Sequence, residues 1–162
     1  MALKRAGLAA YNSASGGRKI ILDGIKTGYG LAKGKILIMD DEELVRTVAG
    51  KMLEFLGYQT VLAKNGEEAL SLYESQRAAG QPFDAVILDW LVPNGMDGFK
   101  TMESLLQIDP AAKGILSSGY AEQDVEGQRT LAGFSGVIGK PYELKTLQAT
   151  LETVLGKPTA AT

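Results

Sequence analysis

The chain has 162 residues, 45% of them apolar and 22% charged, with a formal net charge of −2, the composition of one compact globular domain rather than of a disordered tail. Zero Cys excludes a disulfide framework, a thiolate metal site and a thiol nucleophile; zero His excludes Ser-His-Asp and Cys-His catalysis, His-ligated zinc and any phosphohistidine carried on this chain. No apolar stretch approaches the roughly 20 residues that cross a bilayer, and the start lacks the apolar core of a secretory signal, so a cytoplasmic protein with no membrane segment is expected.

The charge is unevenly spread. Residues 1–34 hold six Lys/Arg against the single acid Asp23, for +5, whereas residues 35–162 hold 11 basic and 18 acidic residues, for −7. The first segment also carries seven of the 20 glycines, with Gly16-Gly17 after Ser13-Ala14-Ser15. Residues 1–34 therefore read as a basic, Gly-rich arm or linker, residues 35–157 as one domain and residues 158–162 as a tail.

From Lys35 onward short apolar runs alternate with helical periodicities, the pattern of βαβ units around a parallel sheet. Ile36-Leu37-Ile38-Met39 is apolar on both faces, as a central parallel strand is. A helix is predicted from Glu43 to Leu56, with Val45, Val48, Ala49, Met52, Leu53 and Leu56 on its apolar face and Gly57 ending it. Tyr58 to Ala63 gives the second strand. Asn65 and Glu68 form a capping-box pattern for a helix reaching Arg77, and Ala85 to Leu88 gives the third strand. Phe99, Met102, Leu105 and Leu106 mark a third helix that stops before Pro110, followed by a strand from Gly114 to Ser117. Glu122–Leu131 reads as a fourth helix without a clear apolar stripe, Gly136 to Ile138 as the fifth strand, and Leu144, Leu147, Leu151, Val154 and Leu155 as a last amphipathic helix entered just after Pro141.

Ligands of such a sheet gather at the carboxyl ends of its strands. Those ends carry Asp40, Asp41 and Glu42; Asp89; Ser117 and Ser118; and Lys140 with Pro141. Carboxylates brought close together repel, so they take up a proton or hold a cation, and an all-oxygen donor set favours Mg²⁺. With Lys140 and the Ser118 hydroxyl facing the same point, the set suits phosphoryl transfer, Asp89 acting as the nucleophile that becomes an acyl phosphate.

Lys35-Ile-Leu-Ile-Met-Asp40-Asp41-Glu42, Ala85-Val-Ile-Leu-Asp89, Pro93, Met96-Asp97-Gly98, Ser118-Gly119-Tyr120 and Lys140-Pro141 together resemble the receiver domain of two-component response regulators. The resemblance implies an α/β, flavodoxin-like (βα)5 doubly wound parallel sheet of strand order 2-1-3-4-5. It further implies a phosphoryl group received from a histidine kinase or histidine phosphotransfer protein. By position, Asp89 is the phosphoacceptor, Asp41, Asp89 and the backbone carbonyl of Leu91 bind Mg²⁺, Asp40 acts through a metal-bound water, and Ser118 and Lys140 contact the phosphoryl group.

Three departures from the commonest receiver pattern stand out. The loop after Asp89 is one residue longer between Pro93 and Met96, which with Ser117-Ser118-Gly119-Tyr120 and residues 133–142 resembles receivers at the C-terminus of hybrid sensor histidine kinases. Val137 occupies the position of the switch aromatic three residues before the lysine. Leu91 and Tyr120, two residues after Asp89 and Ser118, offer no carboxylate or amide to orient attacking water, so slow self-dephosphorylation is expected.

Thr27-Gly28-Tyr29-Gly30-Leu31-Ala32 is also similar to the glycine-rich box of histidine-kinase ATPase domains, a pattern that a linker explains equally well. The expected function is a signalling domain that catalyses only its own phosphorylation and dephosphorylation; the alternative is a phosphorylation-independent protein-binding pseudo-receiver. An aspartyl phosphatase of the haloacid-dehalogenase type is disfavoured, because the second Asp it needs two residues after the nucleophile is Leu91. The residues after Leu155 are too few for a DNA-binding domain, so output through a protein target, which the sequence does not name, is expected.

Overall fold

The computed structural model of the protein describes residues 32–119 and 133–156. The helix expected over Glu122–Leu131, Tyr120, the ATPase-box pattern up to Leu31 and the tail lie outside the described residues. Almost all of what is described falls in one compact unit that begins at Lys33.

The elements follow in the expected alternation: β1 (Lys35–Met39), α1 (Glu43–Phe55), β2 (Gln59–Ala63), α2 (Gly66–Ala78), β3 (Ala85–Asp89), α3 (Gly98–Ile108), β4 (Gly114–Ser118), β5 (Gly136–Gly139) and α4 (Leu144–Leu155). All strand pairs are parallel and the order is β2-β1-β3-β4-β5, the doubly wound 2-1-3-4-5 arrangement. Residues 33 and 34 are already tied to the domain: Lys33 N–H donates to Gly57 O and Gln59 N–H donates to Gly34 O, each at 2.9 Å.

Because strand side chains alternate, β1, β3, β4 and β5 each feed two separate cores, whereas β2 contributes Val61 and Ala63 to one of them. Leu37, Met39, Val86, Leu88 and Leu116 pack with Ala69 and Tyr73 of α2 and Met102 and Leu105 of α3. Ile36, Ile38, Ile87, Ile115 and Ile138 pack with Ala49 and Leu53 of α1 and Leu147 and Leu151 of α4 on the other side. β1, β3 and β4 are buried over nearly their whole length, which explains their unbroken apolar runs.

Three local expectations need correction. Val48 is 42% exposed: α1 turns Ala49, Gly50 and Leu53 to the sheet and leaves Leu44, Val48 and Phe55 facing solvent. Asn65 Oδ1 accepts from Glu68 N–H at 2.9 Å as expected, but Glu68 reaches back to the Lys64 N–H rather than to that of Asn65, so the reciprocal bond is displaced by one residue. The last helix begins at Leu144 after Glu143, three residues past Pro141, and the Lys140–Pro141 bond is cis.

Candidate functional site

Parallel pairing brings the strand ends to one edge. Met39 is level with Ala63 and with Leu88, Asp89 with Ser117, and Ser118 with Gly139, so the residues immediately after β1 and β5 converge on the end of β3. Asp40 follows β1 and is fully buried; its N–H donates to Ala63 O, its Oδ1 accepts from Glu42 N–H, and its carbonyl accepts from Arg46 Nη1 at 2.6 Å. Asp89 ends β3 with 6% exposure. A side chain at Gly98 would press its Cβ onto the Asp89 carbonyl oxygen, so α3 starts against the backbone of Asp89 only because residue 98 has none.

Carboxylate oxygens of Asp40, Asp41 and Asp89 lie within 4.8 Å of one another. Lys140 Nζ sits 2.7 Å from Asp40 Oδ2 and 2.9 Å from Asp89 Oδ1, one ammonium bridging two of the three. Burial pushes the Asp89 carboxyl up to about 6; Lys140 opposes this and the charges of Asp40 and Asp41 add to it. Burial acts against the Lys140 ammonium, but contact with Asp40 and Asp89 outweighs it and raises its pKa.

One ammonium does not balance three carboxylates. Asp40 Oδ2, though ion-paired, is a buried oxygen without a hydrogen bond of good geometry. A hard divalent cation held by oxygen donors alone fits this set, because three carboxylates against one ammonium leave the cluster short of positive charge. Ser118, buried at the end of β4, accepts from Lys140 N–H through its carbonyl at 2.8 Å, which fixes the lysine's backbone to the strand beside Asp89. Leu91 lies two residues beyond Asp89 with its side chain 52% exposed, and Trp90 N–H donates to Ser117 O at 2.9 Å.

The sequence profile of the response regulator receiver domain matches residues 36–152. The chain belongs to that family. It is 30% identical over 121 residues to the sporulation initiation phosphotransferase F of Bacillus subtilis (strain 168), covering 75% of this chain and 93% of that protein. It is 33% identical over 122 residues to the sensor kinase CckA of Brucella abortus (strain 2308), covering 75% of this chain and 12% of the kinase. Among solved structures it is similar to the receiver domain of the sensor histidine kinase PA1611 from Pseudomonas aeruginosa PAO1, described with a magnesium ion coordinated in its active site cleft, at 27% identity and a TM-score of 0.67 over 77% of this chain and 99% of that one. The chain thus carries a two-component receiver domain of doubly wound fold, and among its described residues no helix is long and apolar enough to cross a membrane.

What sequence reading missed in this site are contacts that join one segment to another. The Tyr142 hydroxyl and Ser117 Oγ lie 2.7 Å apart in the interior, linking the loop that carries Lys140 to β4, and burial raises the Tyr142 hydroxyl to about 12. Tyrosine after Lys140-Pro141, where a phenylalanine would need no partner, was a signal that a buried acceptor exists. Nothing in the local pattern pointed to Arg46 as the support of the Asp40 carbonyl.

Proposed function

We propose that Asp89 accepts a phosphoryl group from a phosphohistidine of a histidine kinase or histidine phosphotransfer protein. A carboxylate oxygen of Asp89 attacks phosphorus, the P–N bond to the donor imidazole breaks, and an acyl phosphate forms on Asp89. The observation carrying this reading is Lys140 Nζ at 2.9 Å from Asp89 Oδ1, next to a second buried carboxylate that holds the same ammonium. Lys140 can pass from pairing with Asp89 to pairing with the new phosphoryl oxygens, and the Ser118 side chain offers a hydroxyl from the neighbouring strand.

Asp41, Asp89 and the Leu91 carbonyl would hold Mg²⁺, with Asp40 acting through a bound water. The ion would neutralise charge on the transferred phosphoryl group. Residues 35–157 form the receiver in this reading, residues 1–34 a basic linker and residues 158–162 a tail. The domain is not a turnover enzyme, acts in the cytoplasm, and signals through protein contacts.

Trp90, the only tryptophan, adjoins Asp89 and stacks edge-on against Phe99 at 5.8 Å, so its fluorescence reports on the site. Saturable quenching by Mg²⁺, with a further change on adding beryllofluoride that disappears in Asp89→Asn, is the expected result. A folded protein unresponsive to both would be a phosphorylation-independent binding module. With Leu91 in place of a water-orienting side chain, the acyl phosphate is expected to persist for minutes or longer; a half-life of seconds would contradict this.

A further inference from the structure

The loop that leaves Asp89 and returns at Gly98 is mostly exposed, with Leu91, Pro93, Asn94 and Gly95 facing solvent and Val92 its buried anchor. Its base is fixed where Gly98 meets the Asp89 backbone, and Asp97 caps α3 by accepting Lys100 N–H at 2.9 Å. Its tip is held from another element. Met96 N–H donates to both carboxylate oxygens of Glu67, at 3.2 and 3.1 Å, and Met96 O accepts Gly66 N–H at 3.0 Å. Consecutive residues of the first turn of α2 therefore grip both polar groups of Met96.

The fit is close as well as polar. A Cβ at Gly66 would strike Thr101 Oγ1 and lie 2.8 Å from Met96 O, and a Cβ at Gly95 would lie 2.9 Å from Asn65 Cβ. Glu67 is exposed and the Met96 N–H holds its carboxyl below the usual carboxylate range, so the contact is made to the ionised form. Two residues separate Pro93 from Met96 where the commonest receiver pattern has one, and Val92 is the one buried residue among residues 90–97.

We propose that Glu67 is a positioning residue of the receiver site: by clamping Met96 it sets the path of residues 91–96 and with it the Leu91 carbonyl. It touches neither metal nor phosphoryl group and acts only through the loop. The link to metal affinity rests on the Mg²⁺ reading above; the link to loop order does not.

The test compares Glu67→Ala, Glu67→Gln and Glu68→Ala, the last removing the same charge from the same helical turn without touching the loop. Amide hydrogen exchange is measured without metal, and Mg²⁺ affinity by Trp90 fluorescence. Glu67→Ala is expected to speed exchange across Leu91–Met96 about tenfold. It is also expected to weaken Mg²⁺ binding by about tenfold, the low end for a residue that orients a metal ligand. Glu67→Gln, whose amide oxygen can still accept from Met96, restores part of both, and Glu68→Ala stays near the parent in both. Unchanged exchange in Glu67→Ala overturns the proposal, as does an Mg²⁺ affinity equal to that of Glu68→Ala. If the parent itself does not bind Mg²⁺, the metal reading falls; exchange then decides alone, faster in Glu67→Ala but not in Glu68→Ala sustaining the clamp and equal rates overturning it.

Discussion

Asp89 is a buried carboxylate set beside two others. Burial raises its carboxyl to about 6, above the value near 3.9 of an unfolded chain, so folding favours the protonated form. The resulting stability is present below the unfolded value and is lost as pH rises through about 6. Asp89→Asn is therefore expected to be more stable than the parent in metal-free buffer at pH 7.5, by on the order of 1–2 kcal/mol, with Lys140 still paired to Asp40. The difference should shrink at pH 5, where the parent's Asp89 is protonated; thermal melts at the two pH values read both numbers. Protons also compete with the cation, so Mg²⁺ affinity is expected to fall between pH 7.5 and 5. The members of this cluster were legible because each sits at the end of an apolar run, where the period of the sequence breaks. The direction of the Asp89 shift was not, because it depends on how far the neighbouring strands exclude water.

At the scale of elements, sequence signals and structure agree most closely where the chain's own neighbours supply the physics. Asn65 is an example: a short polar side chain before a helix accepts the Glu68 N–H, as its type and spacing predict. Asn65→Ala is expected to cost about 1 kcal/mol, seen in urea unfolding. Gly98→Ala should cost more, about 1–3 kcal/mol, because the new methyl meets backbone rather than a side chain that can move. Val48 shows the opposite case. The three- and four-residue spacing places it on the apolar stripe of α1, yet Ala49, Gly50 and Leu53 are the residues buried against the sheet and Val48 is left largely in solvent. Periodicity gives the direction of a face, whereas its width is set by what it packs against. The Glu67–Met96 clamp was invisible for a related reason: its partners are 29 residues apart, and a glutamate in the first turn of a helix is already explained by the helix dipole.

For the whole molecule, the alternation of apolar strands with amphipathic helices was enough to indicate a doubly wound sheet, because parallel strands need crossovers and crossovers need helices. The strand order itself is not written in any single segment and came from the resemblance to receivers. The partition of the interior by that sheet has an energetic corollary. Leu105 belongs to the core beneath α2 and α3, Ile38 and Leu53 to the core beneath α1 and α4, and the backbone layer stands between them. Ile38→Val and Leu105→Ala should therefore be additive in unfolding free energy within about 0.5 kcal/mol, whereas Ile38→Val and Leu53→Ala, which share one core, should not. On that expectation either side of the receiver can change in sequence without compensation from the other, while the five strands keep the carboxylates in register.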